Sequence, residues 1–177
     1  MFVGNELERR GFDVLLEAIA LLEDPTVKLL GAGRVAPDAY GSLVERLGLA
    51  DRLQWAGSSN DVALLHAASD VFVLPTRYEA WGLVIVEALG SGLPAVTTKL
   101  AGAAVAVRDG ETGALLRDPE DSAELAEALR WALSGAPVGA DEIAASVHYY
   151  TWGEVISRYE GVLRAVGSEH PFSNARR

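Results

Sequence analysis

Along the chain, short apolar runs alternate with longer stretches in which apolar residues recur every three or four positions. The runs at 1–4, 27–31, 52–56, 70–74, 94–97 and 114–116 are mostly unbroken by polar residues, the pattern of strands covered on both faces. Between them lie helix periods. The segment 12–22 places Phe12, Leu15, Leu16 and Ile19 on one side. The segment 39–47 follows Pro37 and Asp38, which suit a helix start, and Gly48 suits its end. The segment 61–68 opens at a capping pair, Asn60 and Asp61. Segment 82–89 is closed by Gly90 and Gly92, and 122–133 is capped by Asp121 or Ser122 and ends before Gly135. The last stretch predicts helices over 140–148 and 152–166. Within these helices Trp131 and Trp152 are expected in the core, and His66 is expected to pack or cap on its helix.

Strand–helix alternation calls for parallel strands, because each helix returns the chain across the sheet. The prediction is an α/β, Rossmann-like, doubly wound parallel sheet of about six strands with helices on both faces. Too few strands are available for an eight-stranded barrel. One domain spans 1–166, and 167–177 is a polar tail expected to be disordered.

Charge narrows the partners. Asp and Glu number 25 against 15 Lys and Arg, a formal net charge of −10. That field repels nucleic acid and anionic lipid headgroups, so an anionic ligand needs a local exception. The absence of cysteine removes disulfides and thiolate metal sites and accords with a reducing compartment. No run approaches the roughly 18 apolar residues of a membrane span, and no basic-then-apolar leader opens the chain.

The informative stretch is 70–92, D-V-F-V-L-P-T-R-Y-E-A-W-G-L-V-I-V-E-A-L-G-S-G. A buried strand ends at Pro75, a loop follows at 76–81, and a helix opens at Gly82. In a doubly wound sheet such a loop faces the ligand crevice. The helix start offers N–H groups and positive potential to a phosphate, and Gly82 lets a ligand approach the backbone. Glu79 lies in the loop. Glu87 lies five residues into the helix from Gly82, about 7.5 Å along its axis. Because Glu87 follows the apolar residues Leu83, Val84, Ile85 and Val86, it is expected to need a partner or a ligand.

These residues carry a resemblance. E-A-W-G-L-V-I-V-E-A resembles the E-x7-E signature of retaining GT-B glycosyltransferases, and G-S-G-L-P-A-V resembles the A-x-G-x-P-V-V that follows it. F-V-G-N-E-L-E-R-R-G-F-D-V-L-L-E-A is similar to the family's opening segment. L-L-G-A-G-R, L-G-L-A-D-R-L-Q-W-A-G and R-D-G-E-T-G-A-L-L-R-D-P match later ones, and Trp152 with Tyr159 matches the terminal helix. The order and spacing agree over nearly the whole chain. The resemblance is to family 4, or glycosyl transferases group 1, and within it to lipopolysaccharide-core glucosyltransferases.

The resemblance implies a donor-binding lobe of a GT-B fold that takes a nucleotide-diphosphate sugar, expected to be uridine-linked. Glu79 and Arg10 are implied in catalysis. Glu79 would sit beside the donor sugar, and Arg10 would replace the family's phosphate-binding lysine. Glu87 would bind the ribose. The backbone of Ala80, Trp81, Gly82 and Leu83 would hold the diphosphate or sugar. Gly4 and Asn5 would lie at the first strand end, and Ser58, Ser59 and Asn60 would line the base. Asn5 stands where the common pattern has a second phosphate-binding arginine, and Ala80 and Trp81 replace Gly and Phe.

An amino-terminal acceptor lobe is the expected partner, and this lobe alone is expected to be inactive. No D-x-D occurs, so neither a metal nor another cofactor is expected. The expected location is the cytoplasm, with the full-length enzyme peripheral at the inner membrane face and no membrane contact from this lobe. Three alternatives stand beside this reading. One is a GT-B-type epimerase or phosphorylase, and another is a non-catalytic nucleotide-binding module. The third is a nicotinamide enzyme, suggested by G-A-G-R-V-A at 31–36; Pro37 weighs against it, because it places the helix start after the glycines.

Overall fold

The computed structural model describes residues 1–59 and 61–169. Its strands are β1 (Phe2–Val3), β2 (Leu29–Ala32), β3 (Leu53–Trp55), β4 (Phe72–Leu74), β5 (Ala95–Thr98) and β6 (Gly113–Leu116). All pairings are parallel, in two ladders ordered β1-β2-β3 and β4-β5-β6. Met1 joins them: its nitrogen donates to the Val71 carbonyl at 2.6 Å, and its carbonyl accepts from the Val73 N–H at 2.8 Å. That is the bonding pattern of one parallel rung, so β4 lies beside β1. The strands therefore run β3-β2-β1-β4-β5-β6, the doubly wound order, with its reversal between β1 and β4.

Helices cover both faces. On one, α1 (Phe12–Leu21) packs on α2 (Gly41–Arg46) and α5 (Ser122–Leu133). On the other, α4 (Leu83–Gly90) packs on α3 (Val62–Ala67) and α6 (Ala140–Ser146). β4 and β5 are wholly buried, as unbroken apolar runs require, whereas β3 at the sheet edge is not. The core gathers Phe2, Phe12, Leu15, Leu16, Phe72, Leu74, Ile85, Leu89, Leu116 and Leu125.

The chain departs from the expected elements in instructive places. Pro37 opens a 3-10 turn, Pro37–Tyr40, which runs into α2, so the helix begins after the glycines of the 31–36 loop. The last helix, α7 (Trp152–Glu169), continues three residues past the expected start of the tail, and 170–177 lie outside the described residues. Trp131 is half-buried and packs on the core, but Trp152 is 81% exposed, contrary to expectation. It belongs to an apolar stripe with Ile156, Tyr159 and Leu163 that faces outward. Among the described residues, no helix is long and apolar enough to cross a membrane.

Candidate functional site

The crevice forms where the strand order reverses. The loop after β1 and the loop after β4 leave neighbouring strands for opposite sides of the sheet, so their starts splay apart. A cleft of about 390 Å³ opens there. Gly4, Asn5, Glu6 and Arg10 line it from the β1 loop, and Ala32, Gly33 and Arg34 from the β2 loop. Ser58 and Ser59 line it from the β3 loop, and Val84 from the first turn of α4. A larger hollow of about 600 Å³ lies at the amino ends of the strands, lined by Leu15, Ile19, Val71 and Leu129 among others. Loop chemistry is concentrated at the carboxyl ends, and the smaller cleft is the candidate site.

Two segments dock across the reversal. Gly11, with φ 70°, caps α1 in a left-handed conformation, and a Cβ there would overlap the Pro75 carbonyl. Around this contact the Arg77 N–H donates to the Arg9 carbonyl at 2.9 Å, and the Thr76 hydroxyl donates to the same carbonyl at 3.2 Å. Arg77 forms a fork with both Asp13 oxygens, at 2.9 and 2.8 Å, and also meets Glu120 at 2.5 and 2.7 Å. Burial pushes the Asp13 carboxyl up, but the Arg77 hydrogen bonds and charge outweigh it, and the carboxyl sits below its usual range.

This docking brings the two catalytic candidates together. Arg10 Nη2 lies 2.7 Å from Glu79 Oε2, and Arg10 Nη1 donates to the Val3 carbonyl at 2.8 Å. Arg9 is also near, with Nη1 at 3.6 Å from the same carboxylate, and its stronger partner is Glu6 at 2.7 Å. Burial lowers the Arg10 guanidinium below its ordinary value, with Glu79 acting in the opposite sense. Arg10 Nε is buried without an acceptor. A half-buried arginine with spare donor capacity is suited to receive an anion.

Above the carboxylate, Gly82 (φ 90°) turns the chain into α4. The Gly82 carbonyl accepts from Ile85, while the N–H groups of Leu83 and Val84 precede the first helical bond and have no intrahelical partner. The loop is held from behind. The Gly102 N–H donates to the Glu79 carbonyl at 3.0 Å, and the Ala103 N–H to the Trp81 carbonyl at 2.7 Å.

The side chains of Trp81 and Leu83 point elsewhere. Trp81 packs on the Tyr150 ring, with centroids 5.9 Å apart, and Leu83 is 64% exposed. Ala80 is exposed too.

Glu87 corrects the sequence reading. It is exposed and has no ion pair among the described residues, so its apolar helix imposes no burial on it. Val84, one turn earlier in the same helix, lines the cleft, and Glu87 is not part of that lining. Asn5 is exposed, and its Oδ1 accepts from the Arg34 N–H at 2.7 Å. Ser59 Oγ accepts from the Asp61 N–H at 3.1 Å, and Ser58 is exposed. Asn60 lies outside the described residues. His66 is buried, with Nδ1 3.3 Å from the Ser91 hydroxyl.

Sequence reasoning missed Arg34, Glu6 and the docking role of Arg77. Arg34 was findable, because it follows a strand end on the crevice side.

Comparisons with known proteins agree with this geometry. The model for glycosyl transferases group 1 matches residues 1–146. The lipopolysaccharide glucosyltransferase of Escherichia coli K12 is 34% identical over 139 residues, which is 77% of this chain and 37% of that protein. Sucrose-phosphate synthase from Thermosynechococcus elongatus superposes with a TM-score of 0.83 at 26% identity, over 96% of this chain and 46% of that one. HepE from Anabaena, solved with UDP and glucose, gives 0.78 at 26% identity, over 94% and 47%. The chain thus spans less than half the length of these proteins, and its architecture is one lobe of a GT-B fold. With the family model covering most of its length, the chain belongs to the glycosyl transferases group 1 family.

Proposed function

We propose that this chain is the donor-binding lobe of a retaining glycosyltransferase and that its donor is a UDP-linked sugar. The observation that carries the reading is the meeting of Arg10 and Glu79 at 2.7 Å beneath the Gly82 turn, at the strand-order reversal. The likeness to HepE, which was solved with UDP and glucose, and to the E. coli glucosyltransferase favours uridine and glucose.

In this reading the diphosphate lies between Arg10 and the first turn of α4, and the ribose hydroxyls reach Glu87. The base lies against the loop holding Ser58, Ser59 and Asn60, and the sugar sits beside Glu79. Transfer breaks the bond from the anomeric carbon to the phosphate oxygen, which takes the electron pair. The acceptor oxygen bonds to that carbon with retained configuration, and its proton leaves for the departing phosphate or a base. Arg10 and the helix start stabilise the growing phosphate charge, so no metal is required. The acceptor and its base belong to a second, amino-terminal lobe, and without it alignment worth roughly 7–11 kcal/mol is lost. The enzyme acts in the cytoplasm, peripheral at the membrane.

Calorimetry of the chain with UDP and UDP-glucose in excess chelator tests this. Binding is expected without metal, and Glu87→Ala is expected to weaken it by roughly 1–3 kcal/mol. Transfer is expected only when an amino-terminal lobe is joined. Absence of UDP binding at millimolar concentration overturns the reading.

A further inference from the structure

The nucleoside diphosphate of the proposed function presents a charge problem. Its two phosphates are anionic, the chain carries a net −10, and two of the three Arg10 nitrogens are already committed, to Glu79 and the Val3 carbonyl. Glu6 adds a further carboxylate to the cleft wall, and Arg9, the nearest cation to it, is bound to that carboxylate. At position 5 the chain carries a neutral asparagine. One cation with no partner remains on the wall. Arg34 lines the cleft and is exposed, and its guanidinium makes no ion pair or hydrogen bond among the described residues.

Its backbone, by contrast, is fixed on all sides. The Gly33 N–H donates to the Gly57 carbonyl at 2.9 Å, and the Gly4 N–H donates to the Ala32 carbonyl at 2.9 Å. The Trp55 indole donates to the Gly33 carbonyl at 3.3 Å, and the Arg34 N–H donates to Asn5 Oδ1 at 2.7 Å. Asn5 is thus the pin that holds the Arg34 backbone at the cleft wall. The anchored backbone keeps the base of the side chain at the cleft wall, where the uncommitted guanidinium is within the reach of the cleft.

Resting on the donor reading above, we infer that Arg34 is the second phosphate-binding cation, that it contacts the donor's diphosphate, and that Asn5 positions it. Arginine suits this role, because its planar fork engages phosphate oxygens two at a time.

The test is calorimetric titration of the 177-residue chain with UDP and, separately, with uridine. Arg34→Gln is expected to weaken UDP roughly tenfold, the loss of one charge-assisted hydrogen bond, and to leave uridine unchanged. The salt dependence of UDP binding is expected to become shallower, and Arg34→Lys is expected to recover part of the affinity. Arg34 is exposed, so the melting temperature is expected to hold and folding does not confuse the result. Asn5→Ala is expected to weaken UDP less than Arg34→Gln does, and to add nothing in the Arg34→Gln background. Unchanged UDP affinity in Arg34→Gln overturns the assignment. An equal loss of uridine and UDP also overturns it, since that marks a base contact. Independent, additive losses overturn the role of Asn5. If the wild-type chain itself fails to bind UDP, the donor reading falls together with this inference, a result distinct from the others.

Discussion

The strands before the reversal and those after it contribute unequally to the cleft. From β1, β2 and β3 come its charged and hydroxyl groups: Arg10, Arg34, Glu6, Ser58 and Ser59. From the far side come Val84 at the start of α4 and, through its pair with Arg10, Glu79. The two sides are also held differently. The amino-side loops are tied by main-chain bonds to one another, as between Gly33 and Gly57. The loop after β4 has main-chain bonds too, from Gly102 and Ala103, but adds ties of charge, through Arg77 with Asp13 and Glu120 and through Glu79 with Arg10. The difference teaches that the polar wall comes from one side and is braced by the other. Whatever fixes one side against the other also fixes the cleft, so the contacts between them are where the site is most easily broken.

The Gly11 contact is expected to give the largest effect. Gly11→Ala combines a left-handed backbone with overlap on the Pro75 carbonyl, and about 3–5 kcal/mol of stability should be lost. Gly48→Ala is the control: its φ is 66°, but nothing lies near its added Cβ, so about 1–2 kcal/mol is expected. Urea unfolding of both variants checks this, and equal losses would show that the two sides do not press on each other at Gly11. Arg77→Met comes next, at about 1–3 kcal/mol, because the Asp13 fork is part-buried while the Glu120 pair is more exposed and screened. A loss that vanished in high salt would mean that the fork counts for no more than the outer pair. Glu79→Gln acts on ligand rather than fold. It frees Arg10 from its carboxylate and removes a negative charge beside the phosphate site, so UDP should bind about threefold to tenfold tighter. Weaker binding would place Glu79 among the groups that hold the nucleotide.

The fold was largely legible, because apolar runs and glycine stops are local signals and the helix at Ser122–Leu133 matched end to end. Boundaries shifted where long-range contact decided them. Pro37 opened a 3-10 turn and not α2 itself. Trp152 was misplaced because periodicity shows that a helix has an apolar face but not whether anything covers it. The same limit caught Glu87. Its neighbours along the chain are apolar, yet a helix carries its residues to different sides, and this one faces solvent. The partnership of Arg10 with Glu79 joins residues far apart in sequence, so only the resemblance could bring them into one site. Arg34 stands at the end of a legible strand segment, but its lack of a partner among the described residues is something a sequence does not display.

The smallest expected effect concerns His66, where α3 from the first side meets α4 from the second. The ring is buried, with Nδ1 at the Ser91 hydroxyl, Nε2 without a partner among the described residues and the Phe72 ring edge-on at 6.0 Å. Burial, and secondarily the nearby Met1 amino group, lowers its pKa from the ordinary 6.5. Just below pH 6.5 the unfolded chain therefore binds a proton that the folded chain refuses. The stabilising contribution is complete above 6.5 and is lost as pH falls toward the folded value. The Met1 amino group, lowered from 8.0 to about 5 by its own burial, acts in the same direction over a wider range. A single pH profile cannot separate the two, but His66→Gln can, because it keeps a polar partner for Ser91 and leaves Met1 in place. Urea midpoints should fall with pH in both proteins, and below 6.5 they should fall more steeply in the wild type. Parallel profiles would mean that His66 is not the group whose protonation loosens α3 from α4, and the acid sensitivity of this junction would pass to Met1.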